Sequence, residues 1–312
     1  MNKKKDKEDK KIELHSNPII SVLNMKGGVG KTTITCNLAI EFANMGYKVL
    51  VVDVDPQFNS TQALTRFFYN SLDQYFEWQK QRKTLKYIFT SNDENRGLVD
   101  NSVSNPIVNL KNKNKLVGKN AQPIDLIPGD LRLIVDINSN ASDRLKIFFK
   151  TNHLVDKYDI ILIDCPPTWG ELTSVALSLS NYFIIPTNLD EFSTVGVKIL
   201  TDQLKMKIDA RDTPLRCLGI VYMFLAQTRS QVGIKTDQRK FHDELHKFQV
   251  GDMSSALSCD IHTFETYFYK VDQLVTRPAI YRGEENRWSR EYCRKMVDLS
   301  YEVLERLNKE NE

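Results

Sequence analysis

Residues 24–33 read Asn24-Met25-Lys26-Gly27-Gly28-Val29-Gly30-Lys31-Thr32-Thr33. Glycines at this spacing let backbone N–H groups turn inward and cradle phosphate oxygens, and a helix starting directly behind them adds the positive end of its dipole. In such a cradle, formed from Lys26 to Thr33, Lys31 neutralises β- and γ-phosphate charge and the Thr32 hydroxyl ligates Mg²⁺. The usual pattern, G-x-x-x-x-G-K-[ST], puts its first glycine at position 25, where this chain has methionine. The loop is therefore a variant, and its mark is Lys26. Lys31 already serves the local nucleotide, so a second ammonium at the mouth has no local task. One outlet for it is a nucleotide bound to a facing subunit; the plain alternative is a solvated loop lysine.

Two further clusters carry chemistry. Asp53-Val54-Asp55-Pro56-Gln57-Phe58-Asn59-Ser60-Thr61 follows an apolar run. Residues two apart share a face while the chain is extended, so Asp53 and Asp55 can both look towards the loop. One could support Mg²⁺ or its waters while the other orients a nucleophilic water. A second apolar run closes in Asp164-Cys165-Pro166-Pro167. Its carboxylate is placed to accept from Thr32 or from metal-bound water, and the paired prolines force an extended exit.

The elements that must position these groups alternate. Apolar runs at 19–23, 48–53, 124–127, 159–164, 182–185 and 218–222 read as buried strands. Helical patterns are expected at 33–44, 61–90, 141–155, 171–180, 192–209 and 286–308. Strands alternating with helices specify an α/β fold, a doubly wound and mainly parallel sheet flanked by helices. Residues 92–122 read as loops around short elements. Residues 1–17 are polar and charged and read as a disordered basic tail, leaving 18–312 as a single domain.

The 312 residues carry 43 Lys and Arg against 40 Asp and Glu, a net charge of +3. Met1–Lys11 alone holds six lysines against three acids, so the remaining body is near neutral. No sweeping polyanion-binding surface follows from that balance, and any such patch must be local. The best candidate is Arg277, Arg282, Arg287, Arg290, Arg294 and Lys295 around the last helix, with Arg229, Lys235, Arg239 and Lys240 as a second; solvated helix faces are the plain alternative. Five scattered cysteines without a C-x-x-C pair point to reduced thiols in the cytoplasm, not a disulfide frame or a zinc site. No apolar run approaches the ~20 residues that span a bilayer.

Together the three motifs resemble the deviant-Walker-A ATPases, and within them the ParA partition proteins; the likeness covers roughly residues 18–305. The later Pro186-Thr187 and Asp190-x-x-Ser193-x-x-Gly196 fit the same group. The resemblance implies ATP and Mg²⁺ as cofactors and an ATP-bound sandwich homodimer in which Lys26 reaches the partner's phosphates. It implies that Asp55 positions the attacking water and joins Thr32 and Asp164 around the metal, while Asp53 supports the loop and metal shell. It further implies non-specific DNA binding by the dimer on the nucleoid, and slow hydrolysis stimulated by a ParB-like centromere-binding partner, which moves plasmid or chromosome DNA. Base recognition falls just after the Tyr222 strand, at Met223, where the polar residue that many relatives place near adenine is missing. A MinD-like membrane-cycling ATPase is the alternative; it needs a basic amphipathic anchor, and the slightly acidic end of the sequence lacks one.

Overall fold

A computed structural model describes residues 11–90, 105–111, 116, 118, 120–136, 140–210, 214–226, 234–271, 280–283 and 287–309. Seven strands form one sheet in the order β3-β4-β2-β5-β1-β6-β7. They are β1 (Ile19–Val22), β2 (Val49–Asp53), β3 (Val108–Leu110), β4 (Ile124–Ile127), β5 (Ile160–Asp164), β6 (Tyr182–Thr187) and β7 (Arg216–Tyr222). All neighbours run parallel except β3 against β4. β3 is the strand that lies within the stretch expected to be loops.

Strands buried on both faces lose the polar alternation of a half-exposed sheet and read as continuous apolar runs. Their side chains still alternate between two layers. Ile20, Val22, Val49, Val51, Ile160 and Leu162 join a core with α1 (Lys31–Asn44) and α2 (Asn59–Tyr69). Leu50, Val52, Ile161 and Ile163 face the opposite core. That layer includes α3 to α7 only in part: α3 (Asp73–Lys80) lies with α2, whereas α4 (Lys86–Phe89) and α6 (Ala141–Thr151) supply Ile88, Phe89, Leu145 and Phe149 to it. Two short helices, α5 (Leu133–Asp136) and α7 (Leu154–Lys157), flank α6. Next come α8 (Glu171–Leu179), α9 (Glu191–Asp209), α10 (Thr236–Phe248), a π-helical turn at Gln249–Met253, α11 (Ser254–Leu257) and α12 (Arg287–Lys309).

Two expected long helices are broken. The 61–90 stretch is divided into α2, α3 and α4, with Asn70 and Arg82 in the left-handed region at φ 58° each. The 141–155 helix stops at Thr151, and His153 at φ 50° opens α7. A left-handed residue ends the i→i−4 ladder whatever the propensity of its neighbours.

The expected tail is ordered from Lys11 onward. Ile12 and Leu14 pack against the core, Lys11 Nζ pairs with Asp159 Oδ2 at 3.0 Å, and the Tyr47 hydroxyl donates to the Ile12 carbonyl. Two apolar side chains among the charges suffice to lay this segment on the body. Residues 1–10 lie outside the described residues.

At the other border of the sheet, β7 is flanked by the chain's own 262–269 segment. Ile220 N donates to His262 O, Phe264 N to Ile220 O, Phe268 N to Tyr222 O and Leu225 N to Phe268 O, all at 2.8–2.9 Å.

Candidate nucleotide site

The register of the central strands brings the charged groups together. β2 and β5 are neighbours, and Asp53 lies directly beside Asp164 at the carboxyl end of the sheet, with Val22 of β1 next to Asp164 on its other side. The loop leaving β1 therefore passes over two carboxylates. In open α/β sheets this carboxyl end is where ligands bind.

The loop itself needs its glycines. Gly28 and Gly30 sit at φ 72° and 94°, in the left-handed region that glycine enters without steric cost. A Cβ on Gly30 would lie 2.7 Å from Met223 Cε. Met223 is fully buried and packs directly under the loop. Met223, expected beside the base, forms a floor for Gly30 where the chain leaves β7.

Thr32, in the first turn of α1, donates to Asp164 Oδ2 at 2.8 Å; Ser60 Oγ donates to the same oxygen, and Thr35 Oγ1 lies 3.5 Å from Oδ1. Asp53 Oδ2 accepts from Thr61 N and Thr61 Oγ1 at 2.8 and 2.7 Å, and Thr61 Oγ1 in turn accepts from Gly129 N at 2.9 Å. Asp53 Oδ1 is buried without a partner among the described residues. Asp55 is nearly buried and accepts from Gln57 N at 2.9 Å. Ser60 and Thr61 thus tie α2 to the two strand-end carboxylates. Their tandem position after Asp53-x-Asp55 is the signal that could have assigned them.

Lys31 is 7% exposed, and its Nζ donates to the Lys26 carbonyl at 2.9 Å. Burial lowers its pKa, an effect partly offset by Asp164 and Asp55 nearby. Burial pushes Asp164 up to about 6 against the hydrogen bonds from Ser60 and Thr32, with Asp55 adding to the rise. Burial also raises Asp53 and Asp55. Burial and mutual repulsion among the three acids disfavour their ionisation, and a cation brought among them would reverse that.

The donor set fits Mg²⁺ delivered with a phosphate ligand. Among the described residues no group of three or more His, Cys, Asp or Glu side chains is arranged to hold a metal alone. Mg²⁺ instead takes one or two protein oxygens, completing its shell with water and phosphate oxygens. Thr32 and Asp164 supply such oxygens, with Asp55 beside them.

Lys26 stands apart from this cluster. Its Nζ donates to Asp190 Oδ1 and Oδ2 at 2.8 and 2.7 Å and to Ser193 Oγ at 3.1 Å, the cap and first turn of α9. One loop thus carries a buried lysine directed at its own cradle and a half-buried lysine at the rim. A groove of about 1000 Å³ at the amino ends of β1, β6 and β7, lined in part by Lys146, Lys150 and Arg216, lies at the opposite end of the sheet and takes no part.

The proposed polyanion patch is divided by the structure. Arg287, Arg290 and Arg294 are exposed at helical spacing along α12. Arg282 instead closes on Glu41 of α1, with Nε 2.9 Å from Oε1, and Lys295 donates to the Tyr267 carbonyl at 2.7 Å while lying 4.4 Å above that ring. Those two are withdrawn from the exposed face because each has a partly buried acceptor at hand. Arg277 and Arg229 lie outside the described residues.

The AAA domain family (AAA_31) matches residues 17–216, the span that holds the glycine loop, the three strand-end acids, Asp190 and Ser193. The chain belongs to that family, and within it to the ParA/MinD type of P-loop ATPase. Relatives include the sporulation initiation inhibitor protein Soj of Bacillus subtilis, 26% identical over 73% of this chain and 82% of its own length. The chromosome partitioning protein ParA of Caulobacter vibrioides is 26% identical over 67% of this chain and 70% of its own. Among solved structures, pNOB8 ParA superposes with a TM-score of 0.66 at 22% identity, covering 94% of this chain and 99% of that one. A putative plasmid partition protein of Borrelia burgdorferi bound to AMPPNP gives 0.59 at 19% identity, over 95% and 99%. These structures share the fold. Among the described residues no helix is long and apolar enough to cross a membrane.

Proposed function

We propose that this ParA-type chain is an ATP-dependent partition protein. It binds ATP with Mg²⁺, pairs with a second copy, holds DNA without sequence preference and lets go on hydrolysis, so that plasmid or chromosome DNA is segregated. The observation that carries the reading is the division of labour between Lys31 and Lys26. Lys31 is buried beside Asp164 and Asp55, while Lys26 leaves the cradle for the rim. A rim ammonium on a phosphate loop is suited to the phosphates of a facing protomer.

In this reading Lys31 and the N–H groups of residues 27–33 hold the phosphates, and Thr32 and Asp164 hold Mg²⁺, which neutralises charge on the leaving phosphates. Asp55 orients the attacking water, and Asp53 fixes the start of α2 through Thr61. Arg287, Arg290 and Arg294 contact DNA phosphates, and pairing doubles that weak patch. A structure of pNOB8 ParA bound to nonspecific DNA, at TM-score 0.62, supports this part of the reading. A ParB-like protein is the expected stimulator, and the setting is the nucleoid in the cytoplasm.

The test is a DNA titration with ATP, ADP or no nucleotide, alongside measurement of molecular size. ATP should double the size and tighten DNA binding, and ADP should do neither. DNA affinity and size independent of nucleotide would overturn the proposal.

A further inference from the structure

The motif Asp190-x-x-Ser193-x-x-Gly196 lies outside the nucleotide cradle, yet its first two residues both reach the loop. Asp190 and Ser193 sit one turn apart at the head of α9 and give the Lys26 ammonium three acceptor contacts. The same carboxylate caps the helix, accepting from Ser193 N at 2.8 Å. Burial pushes the Asp190 carboxyl up, but hydrogen bonds from Lys26 and Ser193 outweigh it and hold it below the ordinary carboxylate value. The seat opens onto an apolar turn: Phe192 is 79% exposed, Val195 50% and Ile199 46%. A Cβ on Gly196 would meet no atom within 4 Å.

We propose that Asp190, with Ser193, is the positioning residue that makes pairing of two protomers specific for a triphosphate. The inference rests on the cross-subunit reading of Lys26 given above. An ammonium has three donors and all three are engaged here, so to serve a nucleotide on a second copy it must release acceptors that Asp190 and Ser193 now supply. Pairing is then an exchange of one anion for another. A single carboxylate competes well against a diphosphate and poorly against the greater charge of a triphosphate. Without the Asp190 charge, either nucleotide would recruit the lysine.

The experiment uses the full chain with Mg²⁺ and measures size by sedimentation against AMPPNP and ADP concentration. Asp190→Asn keeps a good helix cap and removes the charge. It should lower the AMPPNP concentration for half-pairing about fivefold, the scale of a part-exposed ion pair, and allow ADP to support pairing. Ser193→Ala should lower it by less, and Asp190→Glu should restore discrimination against ADP. Lys26→Ala should not pair, and Asp190→Asn should add nothing to it.

A folded Asp190→Asn protein with an unchanged or raised AMPPNP midpoint, and still inert with ADP, overturns the seat while leaving the Lys26 reading intact. Wild-type chain that does not pair, or Lys26→Ala chain that pairs normally, overturns both. If Asp190→Asn fails to fold, an unchanged midpoint for Ser193→Ala overturns the seat.

Discussion

The carboxyl end of the sheet and the exposed face of α12 are both rich in charge, and they are built in opposite ways. At the sheet, Asp53, Asp164 and Lys31 are buried, and each is held by named hydrogen bonds from the loop, α1 or α2. On α12, Arg287, Arg290 and Arg294 stand in solvent. Buried charges are costly to leave unpaired, so their geometry is fixed and specific. Exposed charges keep their freedom, which suits a partner recognised by charge rather than by shape.

Substitutions can break or sharpen that contrast. Lys31→Ala should have the largest effect, weakening ATP binding about a thousandfold, since it removes a desolvated cation from among carboxylates and phosphates; isothermal titration measures it. Arg282→Ala should behave as a core change despite lying near α12. It removes the guanidinium that closes on Glu41, which is 2% exposed, and should cost about 2 kcal/mol of unfolding free energy in a denaturant melt. The salt dependence of DNA binding should not move.

The triple change Arg287→Ala, Arg290→Ala, Arg294→Ala should do the reverse. Stability should hold, DNA affinity should fall about thirtyfold at moderate salt, and the slope of log affinity against log salt should shrink by about 2.7 for each protomer in contact. A larger slope change from Arg282→Ala than from the triple variant would erase the distinction. Ser60→Ala should give the mildest loss, about tenfold in Mg²⁺-supported nucleotide affinity, because Asp164 keeps Thr32 but loses its second hydroxyl donor.

The same contrast explains what was legible in the sequence. An apolar run closing in aspartate, or a glycine loop between a strand and a helix, is a local pattern, and β1, β2, β5 and α1 formed where those patterns stand. Asp53 and Asp164 could be placed at strand ends without knowing that the strands are neighbours. Partners far along the chain could not. Arg282 meets Glu41 across 241 positions, and Lys26 meets Asp190 across 164. A row of basic residues says nothing about which of them has a carboxylate waiting. The break at Arg82 was equally hidden, since it is neither glycine nor proline and turns left-handed among residues that favour helix; Asn70 and His153 are types that enter that region more readily.

The segment 262–269 beside β7 bears on how copies of this chain can associate. A sheet border with open amides invites another strand, and growth by adding strands is the common route to uncontrolled aggregation. Here the amides of Ile220 and Leu225 and the carbonyls of Ile220 and Tyr222 are already engaged. Along that stretch of the border a neighbour meets side chains, so the choice of partner is left to charge and shape.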